Sequence, residues 1–178
     1  MHERKWHEKH RVYIGTGEDF KGPYSEHLAR SKYCLVAPGD GWSPRAEDAV
    51  LHGCVPVIVM NDTHVIFETL FDWDSFSVRV QQRYIEHLPY ILESIPPERL
   101  QRMQRRLARV WHRFAYASAP AVRTERAHVV EQNTQALKMN PPPRHHPYRP
   151  IMSYPEQDDA LATIMQWLYA RIPHTRGD

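Results

Sequence analysis

The stretch Gly39-Asp40-Gly41-Trp42-Ser43-Pro44-Arg45, followed by Glu47 and Asp48, gathers residue types that can hold a diphosphate and a sugar hydroxyl. Glycines at 39 and 41 let a backbone approach an anion closely, and the free N–H groups that open a helix carry partial positive charge. Arg45, in the first helical turn, adds a guanidinium able to grip phosphate oxygens in bidentate fashion. Asp48, three residues on, shares that helix face and offers a carboxylate to the two hydroxyls of a ribose. Glu47 projects about 100° away, and His52 lies four residues beyond Asp48. Trp42 sits where it could contact a sugar or a base, or simply pack on protein. The same residues also fit a plain βα turn, with Arg45 in a surface ion pair and Asp48 placed against the helix dipole. Together they point to a phosphate-containing ligand and not yet to a reaction.

The elements that must position this segment are legible on either side of it. Tyr33-Cys34-Leu35-Val36-Ala37 is an almost wholly apolar run, as a strand buried on both faces requires. Pro38-Gly39-Asp40-Gly41 breaks it with turn residues. Ser43 offers an N-cap and Pro44 suits the first helical position. The helix is expected to run through Val50 and His52 and to stop at Gly53, a left-handed C-cap. Cys54 to Met60 forms a second buried strand, with Pro56 near its start or at a bulge. Strand, turn, helix and strand make a βαβ unit, and ligands of open parallel sheets bind beyond the carboxyl ends of the strands.

Around this unit, residues 1–10 read as a frayed leader, Arg11 to Gly15 as a short strand, and Tyr24 to Arg30 as one or two helical turns. Phe67 to Leu70 resembles a short helix, Phe76 to Val80 a third strand, and Tyr84 to Ile95 a helix. Leu100, Met103, Leu107, Val110 and Phe114 form the apolar face of a helix expected from about Pro97 to Ser118. Another helix is expected over 121–138. The proline-dense stretch 140–156 reads as a strap. Asp158 or Asp159 caps a last helix whose stripe of Leu161, Ile164, Met165, Leu168 and Ile172 is expected to dock back on the body. The domain organisation is therefore 1–20 as leader or remnant of a preceding domain, 21–139 as the ligand-binding domain, 140–156 as strap and 157–178 as docking helix. The fold class is α/β, a Rossmann-like parallel sheet with flanking helices plus C-terminal helices.

With 178 residues, 42% hydrophobic and 25% charged, the chain suits one globular domain or half of a larger enzyme. A formal net charge of +2 argues against a general attraction to nucleic acid. No apolar run reaches the roughly 20 residues that span a bilayer, and the start lacks the apolar centre of a signal peptide. The arginines at 99, 102, 105, 106, 109 and 113 line the polar side of the long helix. They read as a solvated face, or as a contact for an acidic glycan or a membrane surface, with no interleaved aromatics to suit nucleic acid.

Cys34 and Cys54 read as buried free thiols, with a disulfide as the alternative if the strands are neighbours in an oxidising lumen. The twelve histidines include no metal-binding motif, so no metal is expected. Asn61-Asp62-Thr63 is a glycosylation sequon. Asp72, Trp73 and Asp74 read as a turn around a buried tryptophan. Trp111, Phe114 and Tyr116 are expected to pack on the sheet. Glu68 follows the second strand's loop and could face the ligand cleft.

The ordered series Ser31-Lys32-Tyr33-Cys34-Leu35, Gly39 to Arg45, Glu47-Asp48, Gly53-Cys54-Val55-Pro56-Val57-Ile58, Phe67-Glu68, Asp72-Trp73 and Ser75-Phe76-Ser77-Val78 resembles the C-terminal half of exostosin-type (GT47-like) glycosyltransferases, over about Tyr24 to Tyr116. The version with GDGWS and the Glu-Asp pair looks most like a plant and green-algal branch, whose members include arabinosyltransferases acting on hydroxyproline-rich wall glycoproteins. The resemblance implies the C-terminal, donor-binding half of a GT-B fold. It also implies inverting transfer from a UDP-sugar to a glycan or glycoprotein acceptor, without metal or other cofactor, on the lumenal face of the Golgi membrane. The donor-contacting set would be Gly39, Asp40, Gly41, Trp42, Ser43, Arg45, Glu47 and Asp48. Arg45 would meet the diphosphate, and Asp48 would fill a position usually held by glutamate, so either it or Glu47 takes the ribose. No catalytic base is assigned, because an N-terminal domain absent from this sequence would supply it and most of the acceptor cleft. Two other functions fit the residues: a non-catalytic exostosin-like binding or scaffold module, and a different phosphate-ligand enzyme.

Overall fold

The computed structural model describes residues 6–15, 18–19, 21–38, 43–59, 61, 64–116 and 158–175. Strands β1 (Tyr33–Val36), β2 (Val55–Ile58) and β3 (Val78–Arg79) form one sheet in the order β1-β2-β3. Both pairings are parallel, with Tyr33 opposite Val55 and Val57 opposite Val78. Helix α3 (Arg45–Leu51) connects β1 to β2. This is the expected βαβ crossover of a Rossmann-like α/β fold. Every residue of β2 is buried, as its central place demands.

Pro56 in that central strand has a local explanation. Val55 N–H donates to Lys32 O and Val59 N–H to Val36 O, so the odd-numbered amides of β2 face β1. The even-numbered ones face β3, whose pairing starts only at Val57. The missing donor of Pro56 therefore falls before the β3 ladder begins.

Gly53 takes φ +69° after α3, the left-handed turn expected of it. It places Cys54 against Cys34, and the two form a disulfide with Cα atoms 5.8 Å apart. The free-thiol reading is thereby corrected. Parallel pairing brings the thiols together inside a small apolar cluster with Leu28 and Ala49.

Helix α2 (Tyr24–Arg30) precedes β1 and buries Leu28. Two readings of the amino-terminal region change. Residues 6–10 form a helix, α1 (Trp6–His10), with Trp6 packed on the main core and His10 Nδ1 2.7 Å from Glu93 Oε1. Residues 11–15 are not a strand. Val12 N–H instead bonds back to Trp6 O, and Arg11 sits at φ 54°.

After β2 the chain makes turns at 66–70, where a helix was expected, and a 3-10 turn at Trp73–Ser75. Trp73 is 2% exposed and donates Nε1–H to Ile66 O at 3.0 Å. The helix expected over 84–95 divides into a 3-10 segment, Gln82–His87, and α4 (Leu88–Glu93). Helix α5 (Pro97–Val110) buries Met103 and Leu107 against the sheet as its periodicity predicts. It ends earlier than Ser118, passing into a 3-10 turn at Trp111–Phe114. Trp111 and Phe114 are buried, whereas Tyr116 is exposed and does not pack on the sheet. The helix expected over 121–138, the strap at 140–156, and Asp62 and Thr63 of the sequon all lie outside the described residues.

The last helix, α6 (Ala160–Thr175), is capped by Asp159, whose Oδ1 accepts from Leu161 N–H and Ala162 N–H. It docks, but on a different face from the one read in sequence. Ala160 and Thr163 are buried, and Ile164 and Trp167 pack on the core, while Leu161, Met165, Leu168 and Ile172 stay exposed. A polar clasp selects that face. Arg113 donates Nε–H to Thr163 Oγ1 at 2.6 Å and pairs with Asp158 Oδ1 at 2.7 Å. Trp167 then stacks edgewise on Phe67, next to Phe114.

Candidate functional site

The site lies beyond the carboxyl end of β1, where the chain enters α3. Of the sequence-derived set, Ser43, Arg45, Glu47 and Asp48 are described, and Gly39, Asp40, Gly41 and Trp42 lie outside the described residues. Helix α3 begins at Arg45 with Pro44 as its N-cap (φ −74°, ψ 2°), and no side chain caps it. The N-cap expected of Ser43 is therefore corrected by one position. Proline can stand there because its fixed φ already suits helix entry. The Ser43 hydroxyl is buried and has no hydrogen-bond partner among the described residues.

Arg45 is exposed and reaches back to donate Nη1–H to Ala37 O at 3.4 Å. That contact lays the guanidinium across the end of β1, where a ligand of a parallel sheet sits. Asp48 is half-buried, and its backbone N–H donates to Pro44 O at 3.0 Å. Neither the Arg45 guanidinium nor the Asp48 carboxylate is engaged in an ion pair among the described residues. Glu47 is half-buried, with one carboxylate oxygen fully buried. His52 is spent on its own helix, its Nδ1 2.7 Å from Asp48 O.

Sequence reasoning missed Tyr24. This first residue of α2 carries a phenol within electrostatic reach of Arg45 and Asp48. Burial raises its pKa above the ordinary 10.0; the Asp48 carboxylate raises it further and the Arg45 guanidinium partly offsets both. Tyr24 was legible only as a helix start, since nothing in local spacing shows α2 lying against α3. The site therefore offers a cation, a carboxylate and a phenol O–H on adjoining helices. It can grip a phosphate with Arg45, donate to an oxygen from Tyr24 and accept hydroxyl protons at Asp48.

A second charged group stands at the carboxyl edges of β2 and β3. Glu68 holds His64 Nδ1 at 2.6 Å and pairs with Arg79 Nη2, while Arg79 Nε–H reaches Asp74 at 3.3 Å. Glu68 is thus tied into a network with His64 and Arg79. No group of three metal-ligating side chains occurs among the described residues, nor any helix long and apolar enough to cross a membrane.

Residues 2–95, more than half of the chain, match the sequence profile of the Exostosin GT47 domain. Among similar proteins, one named a probable β-1,4-xylosyltransferase from Arabidopsis thaliana is 41% identical over 86 residues, covering 48% of this chain and 21% of the relative. One named a probable glycosyltransferase from the same plant is 34% identical over 118 residues, 66% of this chain and 23% of the relative. One named a probable glucuronosyltransferase from Oryza sativa subsp. japonica is 31% identical over 155 residues, 86% of this chain and 29% of the relative. The chain thus spans less than a third of the length of these curated relatives. The matched region contains β1, α3, β2 and β3 with Tyr24, Arg45 and Asp48, and the chain belongs to the exostosin GT47 domain family.

Proposed function

We propose that this chain is the donor-binding half of a glycosyltransferase that takes sugar from a UDP-sugar and passes it to a glycan or glycoprotein acceptor with inversion. The observation that carries the reading is the family match falling on a βαβ unit whose carboxyl-edge turn presents Arg45, without an ion-pair partner among the described residues, on the same helix as Asp48 and within electrostatic reach of Tyr24. Arg45 holds the diphosphate and neutralises the charge that develops there as the bond between the sugar's anomeric carbon and the phosphate oxygen breaks. Tyr24 donates its O–H to a phosphate or sugar oxygen. Asp48 accepts from the ribose hydroxyls, and the buried Ser43 hydroxyl supplies a further polar contact at the turn. The acceptor oxygen forms the new bond on the opposite face of the sugar. Its proton leaves to a base carried by the second, N-terminal domain of a GT-B enzyme.

The relatives' names support a pentose or uronate donor, since they specify xylosyl and glucuronosyl transfer. Arabinose is another pentose of that class. The Cys34–Cys54 disulfide supports work in an oxidising lumen such as the Golgi. Calorimetric titration of the wild type and Arg45→Ala with UDP tests the reading. Losing a charge-assisted bond worth about 1.5–3 kcal/mol should weaken binding by roughly ten- to hundredfold. Equal affinities would refute Arg45 as the diphosphate ligand, and no UDP contact by the wild type would favour a non-catalytic module.

A further inference from the structure

We propose that the exposed face of α5 binds a linear, carboxylate-bearing polysaccharide. The inference rests on this face alone, so the donor reading and this one can fail separately. Arg99, Arg102, Arg105, Arg106 and Arg109 are all exposed on α5, against a single acid, Glu98. The surplus of four positive charges is twice the net charge of the whole chain. By contrast, Arg30 pairs with Glu26, Arg79 with Glu68 and Asp74, and Arg113 with Asp158. None of the five on α5 has an ion-pair partner among the described residues.

Their arrangement identifies the partner. Arg99, Arg102, Arg106 and Arg109 follow one another at three- and four-residue steps along one helix face. That gives a straight row about 15 Å long, with guanidinium roots roughly 5 Å apart along the axis. A polymer carrying one carboxylate on each successive sugar presents anions at a comparable interval, and each guanidinium forms the paired hydrogen bonds that a planar carboxylate accepts. The row is also held in place, because Met103 and Leu107 on the adjoining face of the same helix are locked into the core.

The same burial argues against a lipid surface. A membrane-surface helix inserts its apolar face, and that face of α5 is already occupied by protein. Single-stranded nucleic acid would want aromatic side chains between the arginines, and the α5 face has none.

The test titrates the purified chain with polygalacturonate. Dextran, phosphatidylserine-containing vesicles and a DNA oligonucleotide serve as comparators. Binding to polygalacturonate but not dextran is expected, falling by about tenfold or more as salt rises from roughly 50 to 200 mM. Arg102→Glu/Arg106→Glu should lose roughly tenfold or more in affinity. Lys9→Glu/Lys21→Glu makes the same change in net charge off the row and should leave affinity nearly unchanged. Arg102→Gln/Arg106→Gln reads the same loss if charge reversal disturbs folding. Absence of polyuronate binding at low salt, equal loss from both charge-reversed pairs, or tighter binding to vesicles or DNA would each overturn the proposal.

Discussion

Removing the Cys34–Cys54 cross-link is the perturbation whose size the structure fixes most directly. The bond joins residues 20 apart in sequence, and both cysteines are nearly or fully buried between α2, β1 and α3. In the reduced protein the thiols still pack as small apolar groups beside Leu28 and Ala49, so little contact energy is lost. What is lost is the restriction on the unfolded chain. Closing a loop of that length is worth about 3 kcal/mol at room temperature, or about 1.5 M in urea midpoint for a slope near 2 kcal/mol/M. Urea unfolding of the wild type, followed by tryptophan fluorescence with and without reductant, should show this drop. Cys34→Ala/Cys54→Ala should match the reduced wild type and ignore reductant. Thiol titration in denaturant should find no reactive thiol before reduction and both afterwards. A wild-type midpoint that does not move with reductant, or free thiols in the unreduced protein, would refute the cross-link argument.

Arg113→Met removes the clasp on α6. The Arg113 side chain is only 16% exposed, but its partner Asp158 is 41% exposed and can rehydrate, which limits the loss to about 2 kcal/mol. Amide exchange in α6 should accelerate roughly thirtyfold while β2 is less affected, and equal changes in both elements would mean that the clasp is not local. Tyr24 supplies a pH prediction. Its folded-state pKa is raised, so the stabilisation is fully present below the unfolded value of 10.0 and is lost as pH rises through the folded value. Ultraviolet titration should place its ionisation above 10.0 in the wild type, higher in Arg45→Ala and lower in Asp48→Asn; insensitivity to both substitutions would separate Tyr24 from the site.

The βαβ unit was legible because its signals agree. Two apolar runs too short for helices flank a turn, and Gly53 can take a positive φ without penalty. The errors fall where tertiary contacts decide. Helix α6 is apolar over much of its circumference, so periodicity alone could not show whether Leu161 or Trp167 faces inward. Arg113, nearly fifty residues earlier, made that choice through Thr163. Residues 6–10 looked too polar to matter, yet Trp6 and the His10–Glu93 contact anchor them to a segment more than eighty residues away. Arg45 and Asp48 could be found from spacing within one helix. Tyr24 could not, because its place at the site depends on how two helices pack.

The backbone contact behind α6 has a consequence for how the chain can vary. Ala160 N–H donates to Ala115 O at 2.9 Å, joining two residues far apart in sequence. Bringing together two points of a chain costs an entropy that grows only logarithmically with their separation, and doubling it adds about 0.6 kcal/mol. Asp158, Thr163 and Arg113 hold the two ends together whatever lies between them. A change in the number of residues between these two points would therefore alter the closure entropy by only tenths of a kcal/mol, small beside the about 2 kcal/mol assigned to the Arg113 clasp.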